Sequence, residues 1–202
     1  MQEDIRKDVD DMTAATHHNG TATHRTAVSP PTAAPVTVPA TTTAGRYVLG
    51  GLRLALGWIF LWAFLDKLFG LGHSTPAANA WIDGGSPTAG FLGKAVSGPF
   101  TGFYHGIAGA AWADWLFMLG LAGIGLALIA GVALRIAGAA GALLMVMMWT
   151  AVLPPETNPF LDDHLIYAGV LVLFALTAAG ETLGLGKLWN RLPIVRRLPW
   201  LR

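Results

Sequence analysis

Two stretches of twenty residues, 115–134 and 136–155, carry no charged side chain and are separated only by Arg135. At about 1.5 Å of rise per residue, each makes a helix of ~30 Å, the thickness of a bilayer's hydrocarbon core. A third run, 164–180, has seventeen residues without Asp, Glu, Lys or Arg. A fourth apolar stretch, from residue 46, has twelve uncharged residues between Arg53 and Asp66. Hydrophobic residues make up 53% of the chain and charged residues 12%, about half the charge of an average soluble domain. These features exclude an ordinary soluble globular fold. They predict an all-α integral membrane protein, a four-transmembrane-helix bundle with spans at about 46–70, 113–134, 136–155 and 161–180.

The flanking segments read differently. Residues 1–45 are rich in Thr, Ala and Pro with almost no large apolar side chain, the composition of a disordered tail. No apolar run follows its charged start, so it does not read as a secretory signal. His17, His18 and His24 are read as solvated tail residues. Residues 46–186 form the membrane domain, with an outer loop at 73–112 between helices one and two. That loop carries the turn sequence DGGSPT and then a Gly- and Pro-broken semi-apolar stretch, expected as one or two short helices at the interface. Residues 187–202 form a basic amphipathic segment in which Trp and Leu alternate with Arg.

The basic residues orient the bundle. Lys187, Arg191, Arg196, Arg197 and Arg202 follow the last helix, whereas the connection between helices three and four carries only Glu156, Asp162 and Asp163. The positive-inside rule then puts both termini in the cytoplasm and the long loop outside. Small residues four apart (Ala127 and Gly131, Ala133 and Ala137, Gly138 and Ala142) predict close approach of helices two and three. Met145, Met147 and Met148 are read as adaptable core filling.

Ionisable groups at membrane depth are costly and mark candidate sites. Asp66 and Lys67 end the first helix at the outer face, Asp114 opens the second, and Asp162, Asp163 and His164 open the fourth. Asp66, Lys67, Asp163 and His164 are the candidate catalytic set. Trp62, four residues before Asp66, and Tyr167, three after His164, share faces with them. Trp149 lies at the same level on the third helix. Aromatic walls beside a carboxylate and an imidazole suit the polar head of a quinone. Arg53 lies about 20 Å deeper and is a candidate for an anion or lipid phosphate; a structural arginine satisfied by a neighbouring helix reads equally well.

Other chemistries find no support in the residues. The chain contains no cysteine, so thiolate nucleophiles, iron–sulfur clusters and Cys-ligated zinc do not arise within it. No metal, haem or nucleotide is predicted: no pair of histidines lies deep in the helices, and no Gly-rich phosphate motif is present. The basic residues do not form a nucleic-acid face.

Four stretches, RLALGWIFLWAFLDKLFGLG (53–72), AWIDGGSPTAGFL (80–92), WADW (112–115) and NPFLDDHLIYAGVLVLFAL (158–176), occur in an order that resembles the DoxX/DoxD-like family of small bacterial membrane proteins, in its actinobacterial form. The resemblance covers residues 46–200. It implies a four-helix protein of the bacterial cytoplasmic membrane. For the DoxD branch it implies the large subunit of a thiosulfate:quinone oxidoreductase, which joins two thiosulfates as tetrathionate and passes electrons to the membrane quinone pool. Such an enzyme also uses a DoxA-like small subunit, which these residues do not supply. The expected function is therefore that of a membrane subunit of a quinone-linked oxidoreductase. Its expected partners are membrane lipid, a small subunit or soluble redox enzyme, and further copies of the chain. The alternative is a non-catalytic scaffold that recruits a soluble redox or stress-resistance enzyme. Transport is weaker, because no discontinuous midplane helix is visible.

Overall fold

The structure is a computed structural model that describes residues 42–96, 98–156 and 158–202. The expected disordered tail, with its three histidines, lies outside the described residues except for 42–45. The described residues are all helical or irregular, with no strand. Three helices are long and apolar enough to cross a membrane: α1 (Thr43–Phe69), α3 (Ala111–Ala130) and α4 (Leu134–Ala151). α2 (Thr101–Ile107) lies in the connection after α1, and α5 (Asp163–Leu176) follows α4. Two short helices, α6 (Gly186–Trp189) and α7 (Pro193–Arg197), close the chain.

The expected fourth span, 161–180, is helical only over the fourteen residues of α5, about 21 Å. Its start is delayed by a turn in which Asn158 Oδ1 accepts from the amides of Phe160 and Leu161, both at 2.9 Å. Beyond Leu176 the chain extends at Thr177 and turns beneath α4, where Gly180 meets the backbone of Gly131. The second span also ends four residues before its expected limit. Gly131 adopts a left-handed conformation (φ 72°) and its amide bonds the carbonyls of Ala127 and Leu128, which stops α3.

α1 packs antiparallel on α3, and α4 antiparallel on α5. Glycines make the first approach possible: a methyl at Gly125 would come within 2.8 Å of the Leu61 amide nitrogen, and one at Gly57 within 3.0 Å of Leu128 Cβ. At the second, a methyl at Gly138 would lie 2.6 Å from the Leu171 carbonyl oxygen. Small residues thus give the tightest approaches between α1 and α3 and between α4 and α5; the expected contact of α3 with α4 is also made, with Gly141 facing Ile124. Leu56, Phe60, Met118, Ile124, Leu128, Leu171 and Phe174 fill the core between the pairs. Large apolar side chains also cover the outer faces; Leu119, Leu143 and Ile166 are each at least 60% exposed. An apolar exterior on helices this long belongs to a protein embedded in lipid.

Arg53 is wholly buried at the end of the bundle where α3 ends. Its guanidinium donates to the carbonyls of Leu128, Ile129 (3.0 Å) and Leu183 (2.8 Å), with a longer contact to Thr182 (3.4 Å). It satisfies the Ile129 carbonyl, adds a second donor to that of Leu128, and ties this end of α3 to the segment after α5.

Candidate functional site

The other end of the bundle is organised by two buried carboxylates. Asp66, 1% exposed in the last turn of α1, accepts from the His73 amide (3.1 Å), the Ser74 amide (3.0 Å) and the Ser74 hydroxyl (2.6 Å). Asp114, 7% exposed in the first turn of α3, accepts from the Ser86 hydroxyl (2.9 Å), the Thr88 amide (3.1 Å) and the Thr88 hydroxyl (2.6 Å). Thr88 Oγ1 in turn accepts from the Gly109 amide at 3.0 Å. The connection between α1 and α3 is thereby pinned at both sides over the helix ends. α2 is held down on α4, where Tyr104 donates to the Met147 carbonyl (2.8 Å) and meets the Thr150 hydroxyl (2.5 Å).

Beneath this roof lies a cavity of about 1260 Å³, lined from α1, α2, α3, α4, α5 and residues 74–94. Most of its wall is apolar: Phe60, Phe117, Leu121, Ile124, Leu144 and Met145 are representative. Its polar lining includes Lys67 from α1, Asn79, Ser86 and Lys94 from the connection, and Asp163, His164 and Tyr167 from α5. Lys67 Nζ lies 3.4 Å from Ser74 Oγ and 6.0 Å from the centre of the Phe117 ring. Among the described residues no carboxylate lies within ion-pairing distance of it. His164 Nδ1 sits 2.6 Å from Asp162 Oδ2 and 3.6 Å from Asp163 Oδ1. The Asp163 side chain is 68% exposed and that of Asp162 only 11%, so the pair runs from a sheltered carboxylate through the imidazole to one in contact with solvent. The second oxygen of Asp162, Oδ1, is buried with no protein partner among the described residues. The engagement of Nδ1 leaves Nε2 as the ring nitrogen available for proton exchange.

Three of the four candidate catalytic residues, Lys67, Asp163 and His164, therefore line one cavity, as does Tyr167. Asp66 does not face it; its carboxylate is spent on the roof. Trp62 stands outside as well, packed edge-on against His73 (centroids 5.2 Å apart) and tilted on Trp58. Trp149 donates to the Phe160 carbonyl at 2.7 Å and packs on that ring. Arg53 is at the opposite end of the bundle. The imidazole's nearest acidic partner is Asp162, which the sequence left outside the candidate set. Met145, Met147, Met148 and Tyr104 line the cavity; their helical spacing gives no sign that they border a void. Three adjacent groups, on Asp162, Asp163 and His164, have ligand atoms within 4.8 Å of one another, but the short Asp162–His164 contact is that of a hydrogen-bonded pair.

In comparisons with family models, curated proteins and solved structures, the chain matches none.

Proposed function

We propose that the protein is a membrane subunit of a quinone-linked oxidoreductase and that its cavity holds the quinone. The observation that carries this reading is a large, mostly apolar cavity, open at the side of the bundle, whose lining includes the ionisable groups of Lys67, Lys94, Asp163 and His164. Its volume of about 1260 Å³ exceeds the roughly 300–1,000 Å³ of ordinary small-molecule sites, enough for a quinone head and the first units of its tail. A bound quinone accepts two electrons and two protons. His164 supplies protons from Nε2, Asp162 holds its ring in orientation through Nδ1, and Asp163 links the ring to water. Lys67, separated from the Asp66 carboxylate by the Ser74 hydroxyl that both contact, holds positive charge where negative charge gathers on a reduced oxygen.

The resemblance to the DoxD branch extends the reading to the electron donor. Two thiosulfate ions each lose one electron and join through a new S–S bond as tetrathionate; the two electrons and two protons reduce the quinone. Because the chain has no cysteine, no sulfur is carried covalently on it, and a DoxA-like partner subunit is expected to complete the reaction. Thiosulfate-dependent reduction of a membrane quinone by vesicles containing the chain and such a subunit tests this reading. Vesicles that bind quinone but reduce it with no donor support a scaffold instead.

The same proposal has four spans in a bacterial cytoplasmic membrane, with α5 completing the fourth crossing through the apolar residues that flank it, and with both termini inside. Single cysteines introduced at Asp83 and Glu156, both exposed, are expected to react with an impermeant thiol reagent in intact cells. One at Arg197 is expected to react only after permeabilisation. The reverse pattern overturns the orientation.

A further inference from the structure

We infer that the C-terminal segment 183–202 is a preassembled docking plate for anionic phospholipid headgroups. The segment is fixed across the end of the bundle opposite the cavity. The Leu185 amide donates to the Ala130 carbonyl at 2.8 Å, and Trp189 Nε1 donates to the Leu201 carbonyl at 2.6 Å. Arg135, in the first turn of α4, donates through its amide to the Arg202 carbonyl (2.8 Å) and through its guanidinium to the Pro199 carbonyl (2.9 Å). Val195, wholly buried, anchors α7. A segment this tied down presents a fixed surface.

That surface combines cations with apolar side chains. Lys187, Arg191, Arg196 and Arg197 are exposed, and so are Leu188, Ile194 and Trp200, each more than half. A hollow of about 240 Å³, bordered by Arg135, Trp189, Asn190 and Arg202, opens in the plate. Glu181 also borders the hollow, where it accepts from Asn190 Nδ2 at 3.2 Å. Exposed Leu, Ile and Trp among arginines suit the boundary between headgroups and acyl chains, where the apolar side chains are buried and the cations meet phosphate. An acidic soluble partner would leave that apolar surface wet. Each Lys or Arg close to an anionic leaflet strengthens association about fivefold. Arg53, the sequence's candidate for a lipid phosphate, is filled by carbonyls; the plate takes that role.

The test uses the full chain in detergent micelles carrying equal amounts of phosphatidylglycerol and phosphatidylcholine, with retained lipids weighed by native mass spectrometry. The wild type is expected to retain phosphatidylglycerol at least tenfold over phosphatidylcholine, and to lose that preference as salt rises from 0.1 to 0.5 M. The triple variant Arg191→Gln, Arg196→Gln, Arg197→Gln is expected to fall within about twofold of parity, while the triple Arg→Lys variant keeps the preference. A wild type with no preference overturns the inference, and so does a glutamine variant as selective as the wild type. The outcome does not depend on whether the cavity binds quinone.

Discussion

Replacing Arg53 by alanine is expected to destabilise the detergent-solubilised protein by about 3–5 kcal/mol. Its guanidinium is the shared donor for the carbonyls of Leu128, Ile129 and Leu183 at a site with no exposure. A buried acceptor left without its donor costs about 1–3 kcal/mol, and the relief of the guanidinium's own desolvation offsets part of the sum. Thermal unfolding is expected to move down by roughly 10 °C or more. Arg53→Met restores apolar volume without a donor and should recover little of the loss. A shift below about 2 °C for the alanine variant would show that those carbonyls find other donors, and would remove the arginine from the account of how the bundle end is closed.

His164→Ala is expected to lower quinone reduction by about 10²- to 10⁴-fold, the usual contribution of a positioned proton donor, with assembly and thermal stability close to the wild type. The ring lies at the cavity wall with its side chain 23% exposed, so its removal opens no sealed core void. Asp162→Asn keeps the shape of the partner and removes its charge; the expected loss is smaller than that of the alanine variant, because the ring is still present but less firmly oriented. A His164→Ala protein that turns over at the wild-type rate assigns proton delivery to another group and leaves His164 a wall residue.

The existence of the long helices was legible because a run of uncharged residues long enough to cross a bilayer has few other folded forms. Their ends were not, since Gly131 stops α3 by its backbone conformation and α5 ends where the chain turns back to touch Gly131. The first is a local glycine cap within an unbroken apolar run, and the second depends on contact between segments distant in the chain. At the site, the gathering of Lys67, Asp163, His164 and Tyr167 followed from their positions at one set of helix ends. Asp66 and Trp62 share a helix face as their spacing implied, but that face is turned toward the roof, where Ser74 and His73 take them up. Periodicity gives the faces of a helix; it does not say which face meets a cavity and which a loop. For the same reason the methionines of α4, read from their spacing as core filling, turn out to line the cavity.

A quinone seated in the cavity beneath the roof is displaced by bulk added at Gly120. This glycine lines the cavity, and a Cβ added there meets nothing within 4 Å, so a phenylalanine starts from open space and is expected to occupy the cavity without disturbing the packing of α1 on α3. The measurement is a titration of a long-chain quinone into the full chain in lipid nanodiscs, followed by quenching of its tryptophan fluorescence. The account predicts saturable binding at one quinone per chain for the wild type and at least a tenfold weaker affinity for Gly120→Phe at unchanged thermal stability. A wild type that shows no saturable binding, or a Gly120→Phe protein that binds as tightly as the wild type, would contradict it.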